Sequence, residues 1–267
     1  MGFWHDHTFV ICAYKESPYL EECIHSLLQQ STGSKIIMVT STPNEYIESI
    51  AKKHQIALYV NREDKGIAQD WNFGYTCAST PYVTIAHQDD IYYPQYLEEI
   101  RKRVRMGQQP LILFTDYHEV RNGSITKRNK LLTLKRIMLF PMRIRRMQSS
   151  IWMRRRILSL GNAISCPTVT YYKNNLSNPL FRVGMRCSLD WETWEALSRK
   201  KGDFMYIAKP LMAHRIHEGS ETSAILEENL RVQEDYEMFC KFWPKPIAKI
   251  LVRFYSNSEK SNALRGK

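Results

Sequence analysis

The 267-residue chain has no apolar stretch approaching the roughly 18 residues that a membrane-crossing helix needs. Its opening, MGFWHDHTF, lacks the basic segment and apolar run of a signal peptide. A soluble or peripheral, cytoplasmic protein is expected. Cysteine is sparse: Cys12, Cys23, Cys77, Cys166, Cys187 and Cys240 form no CxxC pair, and several sit inside apolar runs. That spacing argues against a zinc site and a disulfide framework and fits a reducing compartment. Internal repeats and low-complexity linkers are missing too. The largest gap is in negative charge: between Glu119 and Asp190 there is no acidic residue, while the same stretch holds 15 Lys and Arg. The formal net charge of +11 is therefore local, and the rest of the chain is net acidic.

What is present is a core-forming chain, 43% apolar, long enough for one large domain or one domain with an appendage. TFVICAY (8–14) reads as a strand, and Ser17-Pro18 starts a helix whose apolar residues recur up to a stop at Gly33. KIIMVTS (35–41), ALYVN (57–61) and YVTIA (82–86) are further strands, separated by helices over NEYIESIAKKH and IAQDWNFGYTCA. Such alternation predicts a mostly parallel α/β sheet with ligands beyond the carboxyl ends of its strands. PQYLEEIRKRV reads as a helix, LILFTDYHEV (111–120) as a strand, and Asn122-Gly123 as a turn into SIT. SLDWETWEALSRK is a helix and DFMYIA a strand. HRIHEGSET (214–222) reads as a polar loop after a Pro-Leu turn, and two further helices close the chain.

AHQDDIYYP (86–94) ends a buried strand on two carboxylates. Asp89 and Asp90 there suit a hard divalent cation that leaves positions open for phosphate oxygens, or they cap the helix beginning near Pro94. Asp190, the first acid after the long basic stretch, can accept a proton from a hydroxyl or serve as an N-cap. His214, Arg215, His217 and Ser220 can bind phosphate or complete a metal shell, and any one of them alone fits an ordinary solvated loop.

Taken in order, TFVICAYKE, Gly66-x-x-x-Asp70-Trp71-Asn72, AHQDDIYYP, SLDWETW and HRIHEGS resemble the inverting glycosyltransferases of family 2, over about residues 8–223. The resemblance implies a GT-A fold, Rossmann-like with a mixed, mostly parallel sheet, and a domain over 1–223. Within it, 1–120 is the nucleotide-sugar half, 121–160 a basic helical insert and 161–223 the acceptor half; 224–267 forms a helical basic tail. It further implies a nucleotide-diphosphate sugar donor, favouring UDP, and Mg²⁺ or Mn²⁺. Ala13, Tyr14 and Glu16 would meet the base and ribose, with Thr40, Ser41, Asn72 and Gln88 also on the donor. Asp89 would hold the metal together with His217, and Arg215, His217 and Ser220 would meet the diphosphate. Asp190 would be the general base, with Asp90, His87 and Glu192 as secondary candidates. The chain departs from the family pattern at His87, where an aspartate is usual, at Asp70-Trp71 in place of Ala-Arg, at Leu189 in place of Glu, and at Thr40-Ser41, where aspartates often contact uracil. Those departures keep open a non-catalytic or partner-dependent protein that binds nucleotide or another transferase.

Residues 127–156 mix Leu, Ile, Met and Phe with Lys and Arg around Pro141, and the tail repeats the arrangement at Ile247, Ile250, Leu251 and Phe254. The basic stretch suits either an ordinary solvated face or, as the tail also does, contact with an anionic membrane surface, rather than nucleic acid, for which no recognition motif is present. The implied acceptor is a saccharide, on a lipid carrier at the inner face of the cell membrane, in bacterial surface-polysaccharide or cell-wall glycan synthesis. Residues 161–172 would border that acceptor or form plain core. Oligomeric state is not readable.

Overall fold

The computed structural model describes residues 2–63, 65–106, 109–217 and 225–260. The first half alternates: β1 (Gly2–Ala13), α1 (Leu20–Leu28), β2 (Thr32–Thr40), α2 (Glu45–Lys53), β3 (Ala57–Val60), α3 (Ile67–Cys77), β4 (Tyr82–His87), β5 (Ile91–Tyr92), α4 (Tyr96–Val104) and β6 (Pro110–Arg121). A hairpin through Asn122 and Gly123, both at positive φ, leads to β7 (Ser124–Thr126). The basic stretch follows as α5 (Lys130–Met138), α6 (Arg145–Gln148) and α7 (Ile151–Leu158), with a 3₁₀ turn containing Pro141 after α5. The chain ends with β8 (Val169–Tyr172), α8 (Leu189–Ser198), β9 (Asp203–Ile216), α9 (Ile225–Cys240) and α10 (Lys245–Lys260).

Among the described residues the strands form one sheet in the order β3-β2-β1-β4-β8-β6-β9-β5, with β7 paired to β6. The first four are parallel, β8 runs antiparallel to both neighbours, and β6 and β9 are parallel. Alternation along the buried strands divides the core between the two faces of the sheet. Phe9, Ile11 and Met38 meet α1, α2 and α4, whereas Val10, Ile37 and Val39 meet α3 and the layer of C-terminal helices. Contact with α3 is closest at Gly74, where a Cβ would lie 2.6 Å from a Val10 methyl.

Three local expectations are corrected. Helix α1 ends at Leu28, and Gly33 lies inside β2. The stop comes from buried Gln30, whose amide donates to Ser26 O and Tyr93 O and accepts from Leu97 N. Ser17 does not cap the helix; its hydroxyl accepts from Tyr19 N, and Tyr19 takes the N-cap position. His214, Arg215 and Ile216 belong to β9 and not to a loop, because the expected Pro-Leu turn is a bulge: β6 residues Thr115 and Asp116 pair with Ile207 and Pro210. Proline, with no N–H to give, is tolerated where the ladder is already broken.

The basic stretch is partly framework. Arg154 is buried and its guanidinium donates to the carbonyls of Ser198, Lys200 and Gly202, closing the C-terminal end of α8. Leu132, Leu139, Met142 and Ile157 are also buried.

Candidate functional site

The order β3-β2-β1-β4 places the point where the chain reverses its winding between β1 and β4, and the sequence-predicted donor residues gather at the carboxyl ends there. Ala13 closes β1 and is buried, Tyr14 is exposed, and Glu16 is exposed just beyond. Gln88 clasps this exit: its side-chain amide accepts from Tyr14 N at 2.9 Å and donates to Tyr14 O at 3.0 Å, extending the β1–β4 pairing by one rung. At the end of β2, buried Thr40 accepts from Thr42 N, and the Ser41 hydroxyl donates to Asp70 Oδ2 at 2.5 Å. Asn61 Nδ2 donates to the other Asp70 oxygen at 2.9 Å. Gln88 and Ser41, expected on the donor, therefore spend their side chains here on framing the pocket.

Asn72 is turned to a similar use. Its Oδ1 accepts from Leu180 N and Phe181 N, and its Nδ2 donates to Phe181 O at 2.7 Å. The amide is satisfied at both ends by the 180–181 backbone, so it anchors that loop. Its neighbour Trp71 stacks on His87, with ring centroids 5.1 Å apart and 25° between planes. Two departures from the family pattern thus touch each other: Trp–His stacking stands where the family has Arg and Asp.

His87, Asp89 and Asp90 offer ligand atoms that all lie within 4.8 Å of one another. His217 Nε2 pairs with Asp89 Oδ2 at 2.9 Å. Asp90 is fully buried, and its Oδ1 accepts from Arg215 N and from His214 Nδ1, both at 2.9 Å. Burial opposes charge on both members of the His214–Asp90 pair. Their mutual attraction outweighs it, raising His214 to about 9 and holding Asp90 below the usual carboxylate range, so imidazolium and carboxylate coexist at neutral pH. Arg215, expected on the diphosphate, is only 7% exposed; it donates to Asp89 O and to Glu22 at 2.5 Å and lies over the Tyr19 ring. Ser220 lies outside the described residues.

Asp190 sits in the first turn of α8, partly exposed. Burial raises its carboxyl above the usual range, opposed by hydrogen bonds from Asn162 Nδ2 (2.8 Å) and Trp191 N (2.7 Å) and by the charges of Lys135 and Arg231. A carboxylate moved in that direction is a stronger base for a hydroxyl proton. The Asp89 and Asp190 clusters flank common neighbours. Buried Cys166, at the turn before β8, is raised by burial and then by Asp190 and, less, Asp90. Glu192 pairs with Lys241 at 2.6 Å, which fixes α8 to α9.

Two contributions were not foreseen from sequence. Lys135, on α5 of the basic stretch, donates to Tyr117 Oη at 3.0 Å, and its charge favours an ionised Asp190 and opposes a charged His214. Its signal was the acid-free composition around it, which singles out no one lysine. Glu234 of α9 is buried and accepts the amides of Arg186, Cys187 and Ser188 at 2.7–2.8 Å, while the Ser188 hydroxyl donates to Asp235. The turn that launches α8 and Asp190 is therefore held by two acids some 46 residues later.

The family model described as Glycosyl transferase family 2 matches residues 8–165. The chain belongs to glycosyl transferase family 2. An uncharacterized glycosyltransferase of Rickettsia typhi is 22% identical over 251 residues, covering 91% of this chain and 72% of that protein. One from Haemophilus influenzae is 29% identical over 99 residues, covering 35% of this chain and only 31% of that protein. Among solved structures, S. aureus TarS in complex with UDP-GlcNAc aligns at TM-score 0.62 and 15% identity, covering 98% of this chain and 74% of that one. A mannosyltransferase from Pyrobaculum calidifontis in complex with GDP-Man and Mn²⁺ aligns at TM-score 0.57 and 15% identity, covering 95% and 70%. The GT-A fold of this family 2 glycosyltransferase is thus shared with both.

Proposed function

We propose that this family 2 enzyme transfers a sugar, with inversion, from a nucleotide-diphosphate donor to a saccharide hydroxyl deprotonated by Asp190. The observation that carries the reading is the cluster at the end of β4: ligand atoms of His87, Asp89 and Asp90 within 4.8 Å of one another. His87 Nε2 and Asp90 Oδ2 are buried there without a hydrogen-bond partner, the condition of atoms awaiting a ligand. Mixed imidazole and carboxylate donors fit Mn²⁺ or Mg²⁺, which Asp89 and His87 would hold, with His217 at hand on Asp89. When bound, the ion supplies positive charge to the diphosphate. The protein's own part is to accept the hydroxyl proton at Asp190 and to place the charges of Lys135 and His214 around the leaving group. A single in-line displacement inverts the anomeric centre. UDP is the favoured base, in keeping with the UDP-GlcNAc complex of TarS.

Release of nucleoside diphosphate from a panel of sugar nucleotides with Mn²⁺ tests the reading; no turnover of any donor would favour a purely binding role. Asp89→Ala is expected to weaken the Mn²⁺-dependent part of donor binding by about 100-fold, measured by calorimetry with and without Mn²⁺. Equal affinities in both would remove Asp89 from the metal site.

We further propose that the acceptor is lipid-linked and met at the inner membrane face. Among the described residues no helix is long and apolar enough to cross a membrane. Ile137, Phe140, Ile144 and Trp152 of the insert and Ile250 and Phe254 of α10 are all more than half exposed, and arginines 128, 136 and 143 line a groove beside Ile137 and Phe140. Exposed apolar side chains interleaved with cations fit anionic headgroups. The protein is expected to float with phosphatidylglycerol vesicles at about 0.1 M salt and not with neutral ones; failure to float with either would refute the membrane reading.

A further inference from the structure

Asn162 is built to a tolerance that no part of the reaction described so far explains. The segment around it is pinned from both sides by aromatic side chains. Indole N–H groups of α8 donate outward at each end, Trp191 to Leu158 O at 3.0 Å and Trp194 to Ile164 O at 3.2 Å. Trp243, before α10, donates to Ser159 O at 2.7 Å. Tyr255 of α10 covers Gly161 so closely that a Cβ there would meet its ring at 2.6 Å, and its hydroxyl accepts from Asn162 N at 3.3 Å. Gly161 itself has φ +142, a conformation that a side chain would disfavour.

At the centre of this segment the Asn162 amide N–H meets Asp190 Oδ2 at 2.8 Å, while its own Oδ1 is buried and has no hydrogen-bond partner. The carboxylate dictates this orientation, because the flipped amide would set oxygen against oxygen. Orphaning a buried acceptor costs stability. A residue kept at such a cost is kept for what its other end does.

We propose that Asn162 is a positioning residue for the general base: its N–H fixes the rotamer of Asp190, tempers its basicity, and leaves the outward lone pairs of the carboxylate for the acceptor hydroxyl. The proposal deepens the assignment of Asp190 and rests on it. The other groups bearing on Asp190 are Lys135 from α5, Arg231 from α9 and the amide of Trp191, and Asp190 in turn acts on Cys166 and Tyr171. Of these, Asn162 is the one whose side chain donates a neutral hydrogen bond to the carboxylate from outside α8. The Tyr255 contact also ties that hydrogen bond to the terminal helix.

The test compares Asn162→Ala and the isosteric Asn162→Asp with wild type. The first readout needs no substrate. Stability of each protein minus that of its Asp190→Asn counterpart, followed against pH by chemical unfolding, shows a transition ending at the native pKa of Asp190. Loss of one charge-assisted hydrogen bond should move that end upward by about one pH unit in Asn162→Ala, and further in Asn162→Asp, where a second carboxyl faces the first. The second readout is turnover: kcat at pH 7 falls about 10- to 100-fold with donor KM within about twofold, and the acid limb of kcat shifts with the native pKa. Melting temperature should fall in Asn162→Ala at pH 7 by no more than a rise of about one unit in that pKa implies, and the difference from wild type should close as pH drops below the unfolded carboxylate value, where the orphaned oxygen's departure is all that remains. An unmoved pKa in both variants, or kcat falling only in step with melting temperature, would overturn the proposal. A shifted pKa in a protein that turns over no donor would instead uphold the positioning and refute the reading of Asp190 as a base.

Discussion

Replacing Asp190 by asparagine is expected to lower sugar transfer by about a thousandfold while leaving the protein folded and its donor affinity nearly unchanged. Asparagine keeps the shape: its single oxygen can accept from Trp191 N, and its N–H can donate to Asn162 Oδ1 once that amide flips, so the loss falls on proton removal. Stability adds a second, oppositely directed outcome. Burial raises the carboxyl of Asp190 in the native state, so the native protein binds this proton more tightly than the unfolded chain does. Between the unfolded carboxylate value and the raised native one, wild type loses stability as pH rises, and above that window the loss is complete. The variant carries no such penalty and should melt at or above the wild-type temperature at pH 7. Nucleoside diphosphate release with acceptor present, together with thermal unfolding at pH 5 and 7, checks both halves. A variant retaining most of its turnover would exclude Asp190 as the base.

Glu234→Ala is expected to be the most destabilising of the substitutions considered. The carboxylate accepts three consecutive backbone amides ahead of α8. Hydrogen bonds to a charged group contribute more than neutral ones, and the buried Ser188 amide would add the desolvation of a lost acceptor. A loss of about 3 kcal/mol follows, or about 10 °C in melting temperature. Turnover should fall with it even below the melting temperature, because Asp190 rides on the turn that loosens. Glu234→Gln, which keeps one acceptor oxygen but aims an N–H at backbone N–H groups, should recover only part of the stability. Unchanged melting in Glu234→Ala would show that the turn is held elsewhere.

Much of the architecture was legible in local pattern. The helix expected over NEYIESIAKKH is α2, Asn122-Gly123 makes the hairpin, and the alternation of strands and helices gives the parallel half of the sheet. The departures came from partners far apart in sequence. Gln88 and Tyr14 are 74 residues apart, Asn72 and Phe181 109, Arg215 and Glu22 193. A polar side chain beside a strand end looks the same in sequence whether it will meet a ligand or a distant backbone. Asp89 and Asp190 stood out because each closes or opens an element in unusual company. Gln88, Ser41 and Asn72 were joined to them by resemblance and Arg215 by its charge, and the structure shows their side chains bonded to Tyr14, Asp70, the 180–181 backbone and Glu22.

The hold of Glu234 and Asp235 on the turn before Asp190 also bears on synthesis. Growing from the ribosome, the chain completes β1–β6 and Asp190 well before these two acids emerge. Until they do, the amides of 186–188 lack the Glu234 carboxylate that accepts them. Segment 158–164 waits longer still, for Trp243 and Tyr255. If Asp190 is the base proposed above, a chain stopped before Glu234 would carry that carboxylate on a turn lacking its acceptors.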